Sequence, residues 1–401
     1  MVDLKHEHFI PLRKPDLLEL LGREQDFTPT DRQKFMHLSQ LLAATFHFEY
    51  HQNLQDLQDA YAPFDPDADT VPIHQAQAAE RAAWMDTLFD KLRWLMKRAN
   101  YLRLTREDIL QLSEGVSEWG IGMEVDFSAF ERFDVFVRGD LVGKRTKRRW
   151  QRFWRLEELP LPIFQRLVLI LKLQKNPRLD GDIDTEDVYI KLFKDIPKMD
   201  MEMLFPGAQV RLTKYDKGMI GYPLLTGLGM LGWKVWQSVV GVVTTVAAGL
   251  TTWGISLLLG SIGYRSYYSY SIKKQTYTLK LTKSLYYQTL DSNAGVLTRL
   301  VTEAEEQEWR EAVLGYFFLW KRAQQEGWTE QQLDEYTELF LAGEAKLNVD
   351  FECRDALEKL LRLGLVEQVT GPRYRAVPID VALERLDHAW DNFFKFNIQA
   401  A

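Results

Sequence analysis

The chain has 401 residues, a net charge of −7, and the apolar and charged fractions of an ordinary globular protein. That composition excludes wholesale disorder and leaves room for two or three domains, and mild acidity excludes a global nucleic-acid signature. Cys353 is the only cysteine, which excludes an intrachain disulfide or a cysteine-built zinc or iron–sulfur site and suits a reducing compartment.

Met1 to Pro15 shows neither the apolar run of a signal peptide nor the Arg-rich look of a transit peptide, so any membrane insertion is expected from an internal segment. Residues 1–120 read as helical. Asp31 is expected to cap a helix through Phe48, with Phe35, Leu38, Leu41 and Leu42 at helical spacing. His47 and His51 lie one turn apart on it, but Phe48 stands where a metalloprotease needs Glu directly after the first His. A structural role is expected; the alternative is a metal site completed by His6, His8 or His74. A second helix is expected over 75–99, with Trp84, Leu88, Leu92 and Leu95 on one stripe, and a third around Asp108 to Ser117.

Residues 121–217 change to a period of two. Phe133, Val135 and Val137 alternate with polar neighbours, Leu167 to Leu171 is continuously apolar, and Val188, Ile190 and Leu192 alternate again. Several short strands of this kind predict an antiparallel sheet, with 167–171 buried on both faces. Trp150, Trp154 and Leu156 share one face of a further expected strand, and that stretch holds the sharpest surface feature: Lys144, Arg145, Lys147, Arg148, Arg149, Trp150, Arg152, Trp154 and Arg155. Read as a strand, Arg145, Lys147, Arg149 and Arg155 share one face, and the other interleaves Arg148 and Arg152 with Trp150 and Trp154. Arg and aromatic residues together suit phosphates, through bidentate hydrogen bonds and cation–π contact. Anionic lipid headgroups are the expected ligand, ahead of nucleic acid. The acidic stretch Asp180 to Asp187 departs from an EF-hand at Thr185 and Lys191 and reads as a solvated turn.

Met219 to Gly263 carries one formal charge, Lys234, in 45 residues. That length is too long for one span of about 20 residues and fits two with a tight turn. Basic residues flank it on both sides, with Lys214 and Lys217 before and Arg265, Lys273 and Lys274 after, which places both ends on the cytoplasmic side. Gly241, Thr245 and Gly249 form a small-residue ridge for helix packing or self-association. Two alternatives remain: a buried core hairpin, or a re-entrant half with one span from about Val239. Gly227-Leu-Gly229-Met-Leu-Gly232 matches the dinucleotide fingerprint literally, but no acid follows before Asp291, so it reads as helix packing.

After it, Ser266 to Gln288 and Thr298 to Gln325 read as helices. Glu303, Glu305, Glu306, Glu308 and Glu311 read as a solvated helical face that pairs with Arg310. Thr329 and Gln332 make a capping box. A short strand near 347–351, a helix from Glu352 stopped by Gly364, a hairpin over 365–377 and a last helix from Ile379 follow the order of a winged-helix module. Its candidate recognition helix mixes Arg354, Lys359 and Arg362 with Glu352, Asp355 and Glu358. Near-neutral helices neutralise phosphates poorly, so a protein partner is expected there and nucleic acid is not.

The expected fold class is therefore an α+β membrane protein: a helical N-terminal part (1–120), an antiparallel β-rich region (121–217), a two-helix transmembrane hairpin (218–264) and a C-terminal helical domain with a winged-helix-like end (265–401). Motifs along the chain also resemble a known family. They are His8-Phe-Ile-Pro, Tyr61-Ala-Pro-Phe-Asp-Pro-Asp, Phe133-Asp-Val-Phe-Val-Arg-Gly139, Tyr189-Ile-Lys-Leu-Phe-Lys-Asp-Ile-Pro197, Met203-Leu-Phe-Pro206, Leu290-Asp-Ser-Asn-Ala-Gly-Val-Leu297, Ala304-Glu-Glu-Gln-Glu308 and Tyr374-Arg-Ala-Val-Pro378. The resemblance is to the transmembrane protein 143-like family, domain-of-unknown-function family 3754. It implies a membrane protein, mitochondrial in the eukaryotic relative, and brings no established activity. The bacterial cytoplasmic membrane, with both termini cytoplasmic, is the expected location here.

The leading functional expectation is a membrane-anchored scaffold or adaptor that contacts anionic lipid headgroups and a protein partner. Alternatives are a membrane-bound enzyme acting on lipid or phosphate substrates, and a homo-oligomeric membrane-shaping or pore assembly. No catalytic residue, cofactor or metal site is assigned.

Overall fold

The computed structural model describes residues 8–23, 27–70, 77–113, 122–148, 156–177, 184–211, 233, 268, 286–323, 325–369 and 371–393. Helix α1 (Lys14–Leu21) leads into α2 (Pro29–Tyr61). Thr28, not Asp31, caps α2: its hydroxyl accepts from the Asp31 amide at 3.1 Å, with Pro29 in the first turn where its missing N–H costs nothing. The helix runs beyond Phe48 because Tyr50, Leu57 and Tyr61 keep its apolar stripe buried to the end. Helix α3 (Ala78–Arg98) begins with the Glu80 carboxylate accepting from the Gln77 amide at 3.1 Å. Leu88, Leu92 and Leu95 are buried, but Met85 takes the inward position expected of Trp84, which is 41% exposed.

The chain then forms β1 (Leu102–Leu104), α4 (Arg106–Ser113), β2 (Gly122–Glu124), β3 (Phe130–Arg148), β4 (Leu156–Leu173), β5 (Val188–Pro197), β6 (Gln209–Arg211) and β7 (Thr289–Ser292). Five of these strands make one antiparallel sheet in the order β1-β3-β4-β5-β7. Both faces are covered, and the period of two sorts the side chains between them. Val135, Val137, Leu167, Leu169 and Leu171 meet Phe127, Phe130 and Phe205 on one face. Phe136, Val168, Ile170, Val188, Ile190 and Leu192 meet the helices on the other.

The centre of the helical layer is α5 (Ala294–Lys321). Residues 312–319 are buried on every side, as expected of a helix wrapped by others. Next come β8 (Trp328–Thr329), α6 (Glu330–Glu344), α7 (Cys353–Arg362), β9 (Val366–Gln368), β10 (Arg373–Ala376) and α8 (Ile379–Asn392). Their three-stranded sheet, β8-β10-β9, with α5, α6 and α7 has the arrangement of a winged helix. The short strand lies at Trp328–Thr329 rather than at 347–351. The Thr329–Gln332 capping box is present, and Gly364, at φ +68°, ends α7 where a side chain would be strained.

The two-helix transmembrane hairpin is corrected. Among the described residues no helix is long and apolar enough to cross a membrane. The two longest, α2 and α5, carry charges along their length, each worth about 2.5–3.5 kcal/mol against insertion at a bilayer centre. The described fold is mixed α/β on an antiparallel sheet, and the integral-membrane character expected from the sequence is not supported. Residues 218–264, with the Gly227–Gly232 motif and the Gly241, Thr245 and Gly249 ridge, lie outside the described residues apart from Trp233.

Candidate functional site

Strands β3 and β4 outrun their neighbours. Strand β1 pairs only with Val135–Val137, and β5 stops at the Ile163 register. From Val142↔Pro162 to Arg148↔Leu156, seven register pairs continue as a two-stranded ribbon, about 20 Å long at roughly 3.4 Å per residue. Arg145 stands opposite Leu159, Lys147 opposite Glu157 and Arg148 opposite Leu156. Between Gly143 and Pro160 the chain carries seven basic residues and two acidic ones. At the root Leu141 and Val142 are exposed. Arg149, Trp150, Arg152, Trp154 and Arg155 lie outside the described residues.

The acidic run on α5 is not a solvated face; all five carboxylates are engaged because the helix is central. Glu303 meets Arg138 at 3.0 Å and accepts from the Tyr101 hydroxyl at 2.9 Å. Glu305 lies 3.0 Å from His47 and 3.7 Å from Lys14, and Glu306 lies 2.6 Å from Arg310. Deeper, Lys359 on α7 reaches Glu308 at 3.3 Å, Glu311 at 3.1 Å and Asp355 at 2.9 Å. Arg98 on α3 binds Glu308 and Asp355 at 3.1 and 3.0 Å. Glu311 also accepts from Gln307 and Asn100. Here three carboxylates face two cations. Burial opposes a charge on Lys359, yet Glu311, Glu308 and Asp355 together hold its ammonium above the ordinary range. Burial pushes Glu311 up, whereas for Asp355 the effect of burial is outweighed by Lys359 and Arg98, which hold it low.

This cluster turns the candidate recognition helix inward. Lys359 is buried, and Arg362 pairs with Glu49 of α2 at 2.8 Å. Cys353, at the start of α7, is buried with its sulfur 3.3 Å from the Glu330 carbonyl, and burial pushes its thiol up. A disulfide reagent at pH 8 is therefore expected to label it at least about a hundredfold more slowly in the native protein than in urea. A native rate near the unfolded one would mean that α7 is not docked.

Among the described residues the remaining sequence candidates form no site, and His6 and His74 lie outside them. His47 is bound to Glu305, and among the described residues no group of three His, Cys, Asp or Glu could hold a metal ion. Residues 180–183 of the acidic stretch lie outside the described residues; Asp184 accepts from the Glu186 amide at 2.8 Å, closing a turn.

Motifs distant in sequence meet at α5. The Ile10 amide donates to Gln307 at 3.2 Å, and Gln307 donates to the His8 carbonyl at 3.3 Å. At the other end Asn293 adopts φ +51°, ψ −127°, a conformation that costs a non-glycine residue about 1–3 kcal/mol. Three hydrogen bonds hold it: its amide to the Ile190 carbonyl (2.7 Å), its side-chain oxygen from the Ile190 amide (3.2 Å), and its side-chain nitrogen to Asp67 (2.6 Å). A Cβ on Gly295 would run into the Asp291 carboxylate, which favours glycine after the turn. Asn293→Ala is expected to destabilise by about 2–3 kcal/mol in urea titration, and Asn293→Gly by less, because glycine relieves the backbone. Equal losses would show that the turn stores no strain.

Fold and surface together define a mixed α/β protein with a winged-helix arrangement after its main sheet and a basic two-stranded ribbon leaving that sheet. Residues 164–295, from within β4 to the first turn of α5, match the family described as "Protein of unknown function (DUF3754)". No solved structure matches the chain.

Proposed function

We propose that the protein is a non-enzymatic scaffold or adaptor whose β3–β4 ribbon contacts anionic phosphate headgroups and whose C-terminal module contacts a protein partner. The ribbon carries this reading: it concentrates basic residues on a ladder that extends past its neighbouring strands, in a chain whose net charge is negative. Exposed Leu141 and Val142 at its root suit an interface that is apolar below and charged above. A protein partner is favoured over nucleic acid at the C-terminal end because α7 spends Lys359 and Arg362 on internal pairs, while α6 leaves Leu339 72% exposed. We also assign the chain to the transmembrane protein 143-like group within its family, on its motifs, several of which pack against α5.

Sedimentation of the full chain with phosphatidylserine-containing and pure phosphatidylcholine vesicles tests the headgroup contact. Binding is expected only to the anionic vesicles and should weaken with salt. Joint replacement of Arg145, Lys147, Arg148 and Arg149 by Gln should weaken it at least about a hundredfold, at about 1 kcal/mol per basic residue. Equal indifference to both vesicles would remove the proposal.

A further inference from the structure

Beneath α3, β3 and β4 bring Arg132 and Lys172 to directly opposite register positions, where like charges repel. A cleft of about 400 Å³ opens there, lined by Arg81, Asp86, Glu131, Arg132, Lys172 and Glu186 among others. Two of its three cations are answered. Arg132 pairs with Asp86 at 2.7 Å and lies over the Phe89 ring at 4.6 Å. Arg81 donates to the Glu186 carbonyl at 2.9 Å, reaches the Glu186 carboxylate at 3.4 Å, and lies over Phe64.

Lys172 is not answered. It is 3% exposed, and among the described residues its ammonium has neither a hydrogen bond nor an ion pair. Burial lowers its pKa, with Glu186 and Glu131 acting against that from a distance. The acids sit at the rim, with the Asp86 and Glu186 side chains 65% and 70% exposed, while the cations lie deeper. With its stem buried and its ammonium unpaired at the cleft, Lys172 gives the inner end the character of an anion site.

The cations come from α3, β3 and β4, and so approach from different directions. A point-charge ammonium between two planar guanidinium groups suits a tetrahedral dianion better than a planar carboxylate. The volume is within the range of small-ligand pockets and leaves room for an organic group near the rim. We propose that this cleft binds a small phosphate-bearing molecule, its phosphoryl group seated against Lys172 between Arg81 and Arg132. The site is independent of the basic ribbon.

The test is competitive acylation of the full chain by an N-hydroxysuccinimide acetate, read at Lys172 by peptide mass spectrometry with exposed Lys97 as reference. Millimolar inorganic phosphate should slow Lys172 about fivefold relative to Lys97, and acetate at equal ionic strength should not. In parallel, phosphate should raise the melting temperature of the wild type but not of Lys172→Met. That variant removes an unanswered charge and is expected to fold at least as stably. Absence of protection, equal protection by acetate, or a phosphate-dependent rise that survives in Lys172→Met would overturn the proposal.

Discussion

Replacing Lys359 by Met should lower the unfolding free energy by about 3–5 kcal/mol, because it leaves buried carboxylates without their cation. Glu308 and Glu311 are buried, and among the described residues Arg98 would remain the one cation paired with Glu308 and Asp355. A second change, Glu311→Gln, should recover much of the loss, because the amide keeps the shape without the charge. Urea titration of the single and double variants measures both. A single-variant loss below about 1 kcal/mol would mean that the cluster is solvated.

The same groups fix the sign of the pH dependence. Lys359 is raised above its ordinary 10.5; its stabilisation is complete below that value and is lost as pH rises through the higher folded pKa. Asp355 is lowered below 3.8, so its contribution is present above 3.8 and is lost as pH falls through the folded value. Glu311 is raised above 4.5; it favours the fold below 4.5, and that contribution is lost as pH rises. The acid limb is thus a partial cancellation of Asp355 and Glu311. On the alkaline side Lys359 shares the limb with the Cys353 thiol and the Tyr50, Tyr61, Tyr101 and Tyr316 hydroxyls, all raised by burial and so also losing stabilisation as pH rises; the limb should shrink but persist in Lys359→Met.

Arg138→Met is the second large effect, at about 3 kcal/mol. Arg138 is buried between the rings of Phe9 (3.9 Å) and Tyr101 (4.6 Å), pairs with Glu303 at 3.0 Å and donates to the Ala99 carbonyl at 3.3 Å. It ties β3, the N-terminal segment and α5 together. Its removal leaves Glu303 to Tyr101 and the weaker Arg299 contact. Lysine lacks the planar fork that both stacks and pairs, so Arg138→Lys should restore less than half. Trypsin cleavage after Arg13 should quicken in both variants as the strap loosens. Wild-type stability in Arg138→Lys would show that charge alone matters.

The sheet was legible where one side chain's neighbours decide its place. Leu167 to Leu171 has no polar residue to turn outward, and it is buried on both faces. The capping signal at Thr329 is local and is present. Partnership at a distance was not legible. Along β3, Asp134 and Arg138 alternate with apolar residues as solvent-facing positions do, yet both are buried: Asp134 meets Arg93 at 3.0 Å and Arg103 at 2.9 Å. Most glutamates of α5 misled in the same way, because apart from Arg310 and Arg299 on the helix itself their partners sit on α2, α3, α7, β3 and the N-terminal segment. A buried ion pair and a solvated charge have the same sequence spelling when the partners are 31 to 258 residues apart. The hairpin is expected from the scarcity of charge, the length and the basic flanks of one segment, which say nothing of how the other helices close over each other.

The most direct test of the ribbon as the contact surface places an environment-sensitive fluorophore on a single introduced cysteine. Thr146→Cys puts it within the ribbon and Leu339→Cys on α6, each in a Cys353→Ala background. The account predicts a blue shift at position 146 on adding phosphatidylserine vesicles, reversed by salt, and no shift at position 339. A shift at 339 alone, or none at either position, would contradict it.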